Sequence, residues 1–308
     1  MKIIFMGTPE FAVPSLKALL DSDNKVLAVI CQPDKPVGRK RELSKPATKK
    51  FAESLNIPVI QPSKIKNNKE FLNKLKEYSS DLICVTAYGK ILPKSILDLP
   101  SKGCINVHAS ILPKYRGAAP INWAIIKGET QTGITTMKMD EGMDTGDILL
   151  IEKTEIEFAD TSETLSERLS EIGAKLLIKT IDQLIKDNLK PIEQDDSKSS
   201  LAPILKKEHG KIDWTKTALE IRNQIRGLLP WPVAFTYLNG KMLKIFDAGI
   251  SDKSGEAGQV IYTDKNILRI SSAKGSLDLR EVQLEGNRKM DIKSFLMGRK
   301  IEDGTILI

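Results

Sequence analysis

The sequence predicts an α/β fold: an open, largely parallel sheet with helices between its strands, followed by a smaller β-rich domain. Three observations carry this. Short apolar runs alternate with helical patterns through the first half of the chain, as repeated strand-helix-strand units require. A polar, proline-bearing stretch with little apolar periodicity breaks that rhythm at residues 190–205. Beyond it the apolar runs shorten and turn residues crowd together. At 308 residues the chain is long enough for two cores, because a single core stops growing near this size.

Residues 2–6, 26–32 and 81–86 are β-branched or apolar runs, the composition of strands covered on both faces. Between them, residues 14–20, 46–55 and 69–78 carry helical spacing. Further strands are predicted at 104–108, 134–139 and 148–156, then a helix over 164–188 capped by Ser162 or Thr161. Residues 1–189 therefore form one domain, 190–205 a linker and 206–308 a second domain. The second domain reads as a short helix at 218–226 and strands punctuated at Asn239-Gly240, Gly255, Gly258, Gly275 and Gly286. That density of short strands fits a small OB-like β-barrel.

With 41% hydrophobic and 28% charged residues the chain has the composition of a soluble globular protein. No run approaches the ~18 apolar residues of a membrane span. The first residues read as a strand rather than a signal peptide, so a cytoplasmic protein without a membrane partner is expected. Cys31, Cys84 and Cys104 are odd in number, widely spaced and set in apolar runs. They read as buried thiols, not as a disulfide or a zinc site. The two histidines are His108 and His209; the latter, at the linker's edge, is expected on the surface.

The net charge of +7 is unevenly placed. Residues 35–50 hold seven basic side chains against Glu42 alone, and residues 203–308 hold 18 basic against 13 acidic. A polyanion touching both regions would explain this; a solvated basic surface is the plainer alternative.

Gly7-Thr8-Pro9 follows the first strand but is not G-x-G-x-x-G, and Pro9 lacks a backbone donor, so a nicotinamide cofactor is not expected. If 104–108 is a strand, Asn106 and His108 share one face at its carboxyl end, where open α/β sheets bind ligands. An amide there can donate to a developing oxyanion while an imidazole moves a proton; a hydrogen-bonded core pair is the competing reading. Gly142 and Gly146 bracket a tight turn that presents Asp144. A carboxylate beside a histidine fixes its tautomer and can order a water for proton relay. An acidic surface turn is the alternative, and with no EF-hand spacing no metal is expected.

Asn106-Val107-His108, then Ser110-Ile111-Leu112-Pro113-Lys114-Tyr115-Arg116-Gly117, then Asp144 in its glycine turn, resemble the formyltransferases that use 10-formyltetrahydrofolate. Within that family the whole chain, residues 2–308, is similar to the enzymes acting on initiator Met-tRNA. Supporting runs are Met6 to Ala12, Gln32 to Arg39, Gly117 to Pro120, Gly210 to Trp214 and Arg226 to Pro232. The resemblance implies a Rossmann-like catalytic domain and an OB-like domain that helps hold tRNA. It implies catalysis by Asn106, His108 and Asp144, with folate flanked by Ser110 to Arg116 and by Tyr88, Gly89 and Leu92. Arg39, Lys40 and Arg41 fall in the loop that meets the tRNA acceptor end, Arg39 being the first choice for its key arginine and Arg41 the second. Phe11, near the first crevice turn, is the candidate for the methionine pocket. A nucleotide-sugar formyltransferase is the nearest alternative, and the basic loop favours tRNA. A monomer is the default.

Overall fold

The computed structural model describes residues 1–37 and 42–308, so the expectation for Arg39, Lys40 and Arg41 lies outside the described residues. The chain divides into two compact units. Unit 1 comprises Met1–Pro120, Gln131–Glu155 and Ser166–Pro203; unit 2 comprises Ile121–Thr130, Ile156–Leu165 and Ile204–Ile308.

The elements run β1 (Lys2–Gly7), α1 (Val13–Leu20), β2 (Lys25–Ile30), β3 (Lys35–Val37), β4 (Glu42–Ser44), α2 (Ala47–Ser54) and β5 (Val59–Ile60). Next come α3 (Lys69–Glu77), β6 (Leu82–Thr86), α4 (Lys94–Leu97), β7 (Cys104–His108), β8 (Arg116–Gly117) and α5 (Pro120–Ile126). Then follow β9 (Gln131–Lys138), β10 (Ile148–Glu155), α6 (Ser162–Ile185) and β11 (Leu201–Ala202).

Unit 1 is built on a seven-stranded sheet in the order β10-β9-β7-β6-β1-β2-β5. Strands β5, β2, β1, β6 and β7 are parallel, while β9 and β10 add an antiparallel edge. β6 is buried along its whole length, and only Lys2 of β1 is exposed, which is why both read as unbroken apolar runs. The chain leaves β1 toward β2 and β5, then returns to β6 on the other side. That reversal opens a crevice at the carboxyl ends of β1 and β6.

Helix α3 shows how local sequence sets an element. Asn68 caps it by accepting from the Phe71 amide at 3.0 Å, and Phe71 and Leu75, one turn apart, are both buried. Helix α6 starts where the Thr161 hydroxyl accepts from the Thr164 amide at 3.3 Å. It stops short of residue 188 because Asp187 turns into the left-handed region, φ 54°. A side chain on Gly173 of α6 would meet Val107 Cγ1 at 2.9 Å, and Thr136 and Thr180 share a buried 2.8 Å hydrogen bond. Val107 thus points toward α6, and its neighbours Asn106 and His108 point to the opposite face.

Residues 190–203, linker-like in composition, are part of unit 1. Ile192 pairs with Ile148, and β11 adds in parallel to β8.

Unit 2 contains α7 (Ala218–Gly227), β12 (Ala234–Leu238), β13 (Lys241–Ser251), β14 (Val260–Thr263), β15 (Leu268–Ser271), β16 (Ser276–Leu284), β17 (Met290–Asp291) and α8 (Ile292–Met297). Its sheet is antiparallel, in the order β12-β13-β16-β15-β14 with β17 beside β16, and the strand path is open. Trp214, Ile221, Leu243, Ile270, Leu279 and Phe295 belong to its core. The last residues bond at both edges: Tyr237 and Ile308 exchange backbone bonds at 2.9 and 3.1 Å, and the Val260 amide donates to Thr305 at 2.8 Å. His209 is not the free surface group its linker-edge position suggested. Half-buried, it accepts from the Lys206 amide at 3.0 Å and sets its ring edge-on to Trp123 at 5.3 Å.

Candidate active site

Strand β7 carries Asn106 and His108 at the carboxyl edge of the parallel sheet, and the turn after β9 carries Asp144. Asp144 itself adopts φ 55°, a left-handed conformation that aspartate tolerates better than most residues. This bend brings its carboxylate back over β7. Asn106 Nδ2 donates to Asp144 Oδ1 at 3.3 Å, and the Gly117 amide donates to Asp144 Oδ2 at 2.9 Å. His108 Nδ1 faces the same Oδ2 at 3.6 Å. That is an ion-pair distance for a protonated ring, longer than a hydrogen bond.

The other ring nitrogen settles the tautomer. His108 Nε2 lies 3.0 Å from the Tyr115 carbonyl, and a carbonyl oxygen can only accept, so Nε2 carries hydrogen and donates. Nδ1 is then the ring nitrogen that faces the Asp144 carboxylate. Asn106 uses one of its two amide hydrogens on Asp144. The other has no further partner among the described residues. His108 is buried, Asp144 is 17% exposed and Asn106 is half-buried, so charge here is only partly screened.

Residues 110–117 form the wall that holds this trio. The buried Ser110 hydroxyl donates to the Lys114 carbonyl at 2.6 Å, and Thr135 bonds both the Ser110 carbonyl and the Leu112 amide. Leu112 packs with Met137 and Ile148, and the buried Arg116 turns to Gln194 and Asp196. Ser110, Leu112 and Arg116 thus face inward, whereas Ile111, Pro113 and Tyr115 are half-buried and Lys114 is exposed. Tyr115 has φ 61°, which aims its carbonyl at His108. Gly117 has φ 117°, and a Cβ there would lie 2.8 Å from the Ala202 carbonyl oxygen, so only glycine lets β11 approach β8.

Tyr88, Gly89 and Leu92 follow β6 at the adjacent strand end. Tyr88 and Leu92 send their side chains into the core, and Gly89 is exposed with φ 80°. Burial pushes the Tyr88 phenol up to about 12. The Tyr88 carbonyl accepts from Thr8 at 3.4 Å and Gln32 at 3.0 Å, joining the ends of β1, β2 and β6. Phe11 sits half-buried in a one-turn helix after β1. Among the described residues no hydrogen bond links Phe11, Tyr88, Gly89 or Leu92 to the Asn106, His108 and Asp144 cluster. Nor is any group of three or more His, Cys, Asp or Glu placed to hold a metal ion there.

Two residues in contact with this wall carry no sequence signal of their own. Gln194 bonds Arg116 and the backbone on both sides of Thr145, and Ser200 Oγ accepts from the Tyr115 amide at 3.0 Å. Both lie in a polar segment without periodicity, where only the structure reveals their partners.

The profile of the formyl transferase family matches residues 1–181, and that of the formyl transferase C-terminal domain matches residues 204–300. A methionyl-tRNA formyltransferase of Caldanaerobacter subterraneus subsp. tengcongensis is 51% identical over all of this chain and all of its own length. One of Lachnospira eligens is 48% identical over 100% of this chain and 99% of its own. Among solved structures, a sugar 3N-formyl transferase with dTDP and 5-N-formyl-THF shares the fold with TM-score 0.70 and 24% identity. That alignment covers 94% of this chain and 99% of the other. HypX of Aquifex aeolicus with tetrahydrofolic acid has TM-score 0.65 and 16% identity, covering 99% of this chain and 50% of the other.

Proposed function

The chain belongs to the formyl transferase family, and from that premise we propose that Asn106, His108 and Asp144 carry its chemistry. The enzyme transfers the formyl group of 10-formyltetrahydrofolate to the α-amine of methionine on initiator Met-tRNA. Its relatives at 48 and 51% identity over full length bear that activity in their names. One observation carries the catalytic reading: an amide, an imidazole and a carboxylate converge at one sheet edge.

The α-amine attacks the formyl carbon and the carbonyl electron pair moves to oxygen. The free N–H of Asn106 donates to that oxyanion, stabilisation typically worth ~3 kcal/mol. One proton must leave the attacking nitrogen and one must reach the departing folate nitrogen. His108 Nδ1 takes the first and returns the second, with Asp144 holding the imidazolium between the steps. Collapse expels tetrahydrofolate and leaves formylmethionyl-tRNA, with no net proton change. No metal is needed, since the formyl group is already activated by its nitrogen leaving group.

Folate is flanked by the segment Ser110, Ile111, Leu112, Pro113, Lys114, Tyr115 and Arg116, whose outward side chains are Ile111, Pro113, Lys114 and Tyr115, and by the backbone at Tyr88, Gly89 and Leu92. Phe11 contributes to the methionine pocket. Residues 1–189 are the catalytic domain, 190–205 the linker and 206–308 an OB-like barrel. Bonding of the C-terminal residues at both edges of the open sheet supports the last. The tRNA lies against that barrel and against Arg39, Lys40 and Arg41, and the protein acts as a cytoplasmic monomer.

Filter binding with charged initiator tRNA tests the acceptor. Affinity should fall steeply with salt, and replacing Arg39, Lys40 and Arg41 by Ala should flatten the log-log slope by about 2 to 3. Salt-independent binding to tRNA, together with formylation of an amino-sugar nucleotide, would redirect the assignment to a sugar acceptor.

A further inference from the structure

We propose that Gln194 is a positioning residue of the active site, so that the linker-like segment is part of the catalytic apparatus rather than a tether. The proposal rests on the roles given above to Asp144 and His108.

Gln194 is 8% exposed and all four hydrogen-bonding positions of its side chain are used. Nε2 donates to the Asp144 carbonyl at 2.9 Å and the Gly146 carbonyl at 2.7 Å. Oε1 accepts from Arg116 Nε at 3.0 Å and Nη2 at 2.8 Å. The amide cannot be turned round, because a guanidinium only donates and a carbonyl only accepts. A linker residue chosen for solubility would leave such positions to water.

What the amide holds matters more than how well it is satisfied. Its two donations clamp the backbone on either side of Thr145, in the turn where Asp144 sits at φ 55°. Left-handed backbone costs even an aspartate some free energy, which bonds that hold the turn offset. On its acceptor side Gln194 orders Arg116. That residue lies between Tyr115, whose carbonyl receives the His108 Nε2 hydrogen, and Gly117, whose amide donates to Asp144 Oδ2. One side chain therefore ties together the main-chain carriers of both catalytic contacts without touching Asn106, His108 or the Asp144 carboxylate.

The segment is itself pinned in place. Ile192 and Ile148 exchange backbone bonds at 2.8 and 2.9 Å, the Arg116 amide donates to the Ser200 carbonyl at 2.8 Å, and the Ala119 amide donates to the Ala202 carbonyl at 3.1 Å. Gln194 is held from both flanks, as a positioning group must be if it is to transmit order rather than follow it.

The test compares Gln194→Glu with Gln194→Met in the full-length protein, alone and combined with Asp144→Asn. Glu keeps an acceptor for Arg116 but loses both donations to the turn; Met keeps the side-chain bulk and loses every bond. Steady-state formylation of Met-tRNA should show kcat reduced about 10- to 100-fold in both variants, with KM for each substrate changed less than about threefold. In the Asp144→Asn background the further loss from Gln194→Glu should be under about threefold, because a misplaced group that no longer functions has little left to lose. A Gln194→Glu enzyme with wild-type kcat, while Asp144→Asn is impaired, overturns the proposal. So does a loss of equal size in both backgrounds. Gln194→Met decides the matter by the same criteria if Gln194→Glu does not fold. An Asp144→Asn enzyme with full turnover would instead show that the underlying catalytic assignment has failed, and this proposal with it.

Discussion

Replacing Asp144 by Asn removes one charge and leaves nearly the same shape, so its effect follows from the geometry around one carboxylate. An Asn oxygen can still accept from the Gly117 amide, now 2.9 Å from Oδ2, which keeps the turn attached, while its Nδ2 takes the place of Oδ1 and gives up the bond accepted there from Asn106. The attraction between Asp144 and the imidazolium that forms during transfer is lost. At 3.6 Å, two unit charges attract by roughly 5 kcal/mol at an effective dielectric of about 20 and by roughly 1 kcal/mol in bulk water. With His108 6% and Asp144 17% exposed at the side chain, an intermediate ~3 kcal/mol applies, which is a factor of ~100 in rate. The loss belongs to the transition state, because neutral imidazole in the ground state feels little of it. Initial-rate kinetics with both substrates varied should therefore show kcat down about 100-fold and each KM within about threefold. Differential scanning calorimetry should give a Tm within a few degrees of wild type. A kcat within about threefold of wild type would refute the assignment of Asp144 to charge stabilisation.

Asn106→Ala removes the oxyanion donor and should lower kcat by about 100- to 1,000-fold in the same kinetics; a loss of less than about fivefold would place the oxyanion elsewhere. Gly117→Ala forces a side chain onto φ 117° and against the Ala202 carbonyl, so thermal unfolding should show a loss of ~2 kcal/mol or more, roughly 5 °C in Tm. An unchanged Tm would mean that β11 is not held against β8 in solution. Burial pushes the Cys31 thiol up to about 11, the Cys104 thiol up to about 12 and the Cys84 thiol higher still. All three are buried, so a thiol reagent at pH 8 should titrate none of them until denaturant is added; rapid labelling of native protein would contradict their placement.

Much of unit 1 was readable because burial on both faces writes itself into composition. β1 and β6 are nearly pure apolar runs and stand out from their polar surroundings. The pairing of Asn106 with His108 on one face needed only the period of a strand. β5 is too short to leave a pattern, and the hairpin of β3 and β4 mixes proline and charge where a strand would be apolar. The approach of Asp144 was harder, since it depends on one left-handed residue inside a turn. Gln194 was not legible at all. It bonds mainly to backbone carbonyls and to a distant arginine, and neither kind of partner imposes spacing on the sequence around it. The open strand path of unit 2 likewise follows from pairing partners far apart in the chain, including the last residues, which short-range turn signals do not report.

Mixing the purified protein with 10-formyltetrahydrofolate and charged initiator tRNA, then releasing and identifying the amino acid, tests the central claim most directly. Formylmethionine should accumulate only when both substrates are present, and His108→Ala should reduce its rate by at least about 100-fold. Methionine recovered unformylated from the wild-type reaction, or formylation by His108→Ala at a near-normal rate, would contradict it.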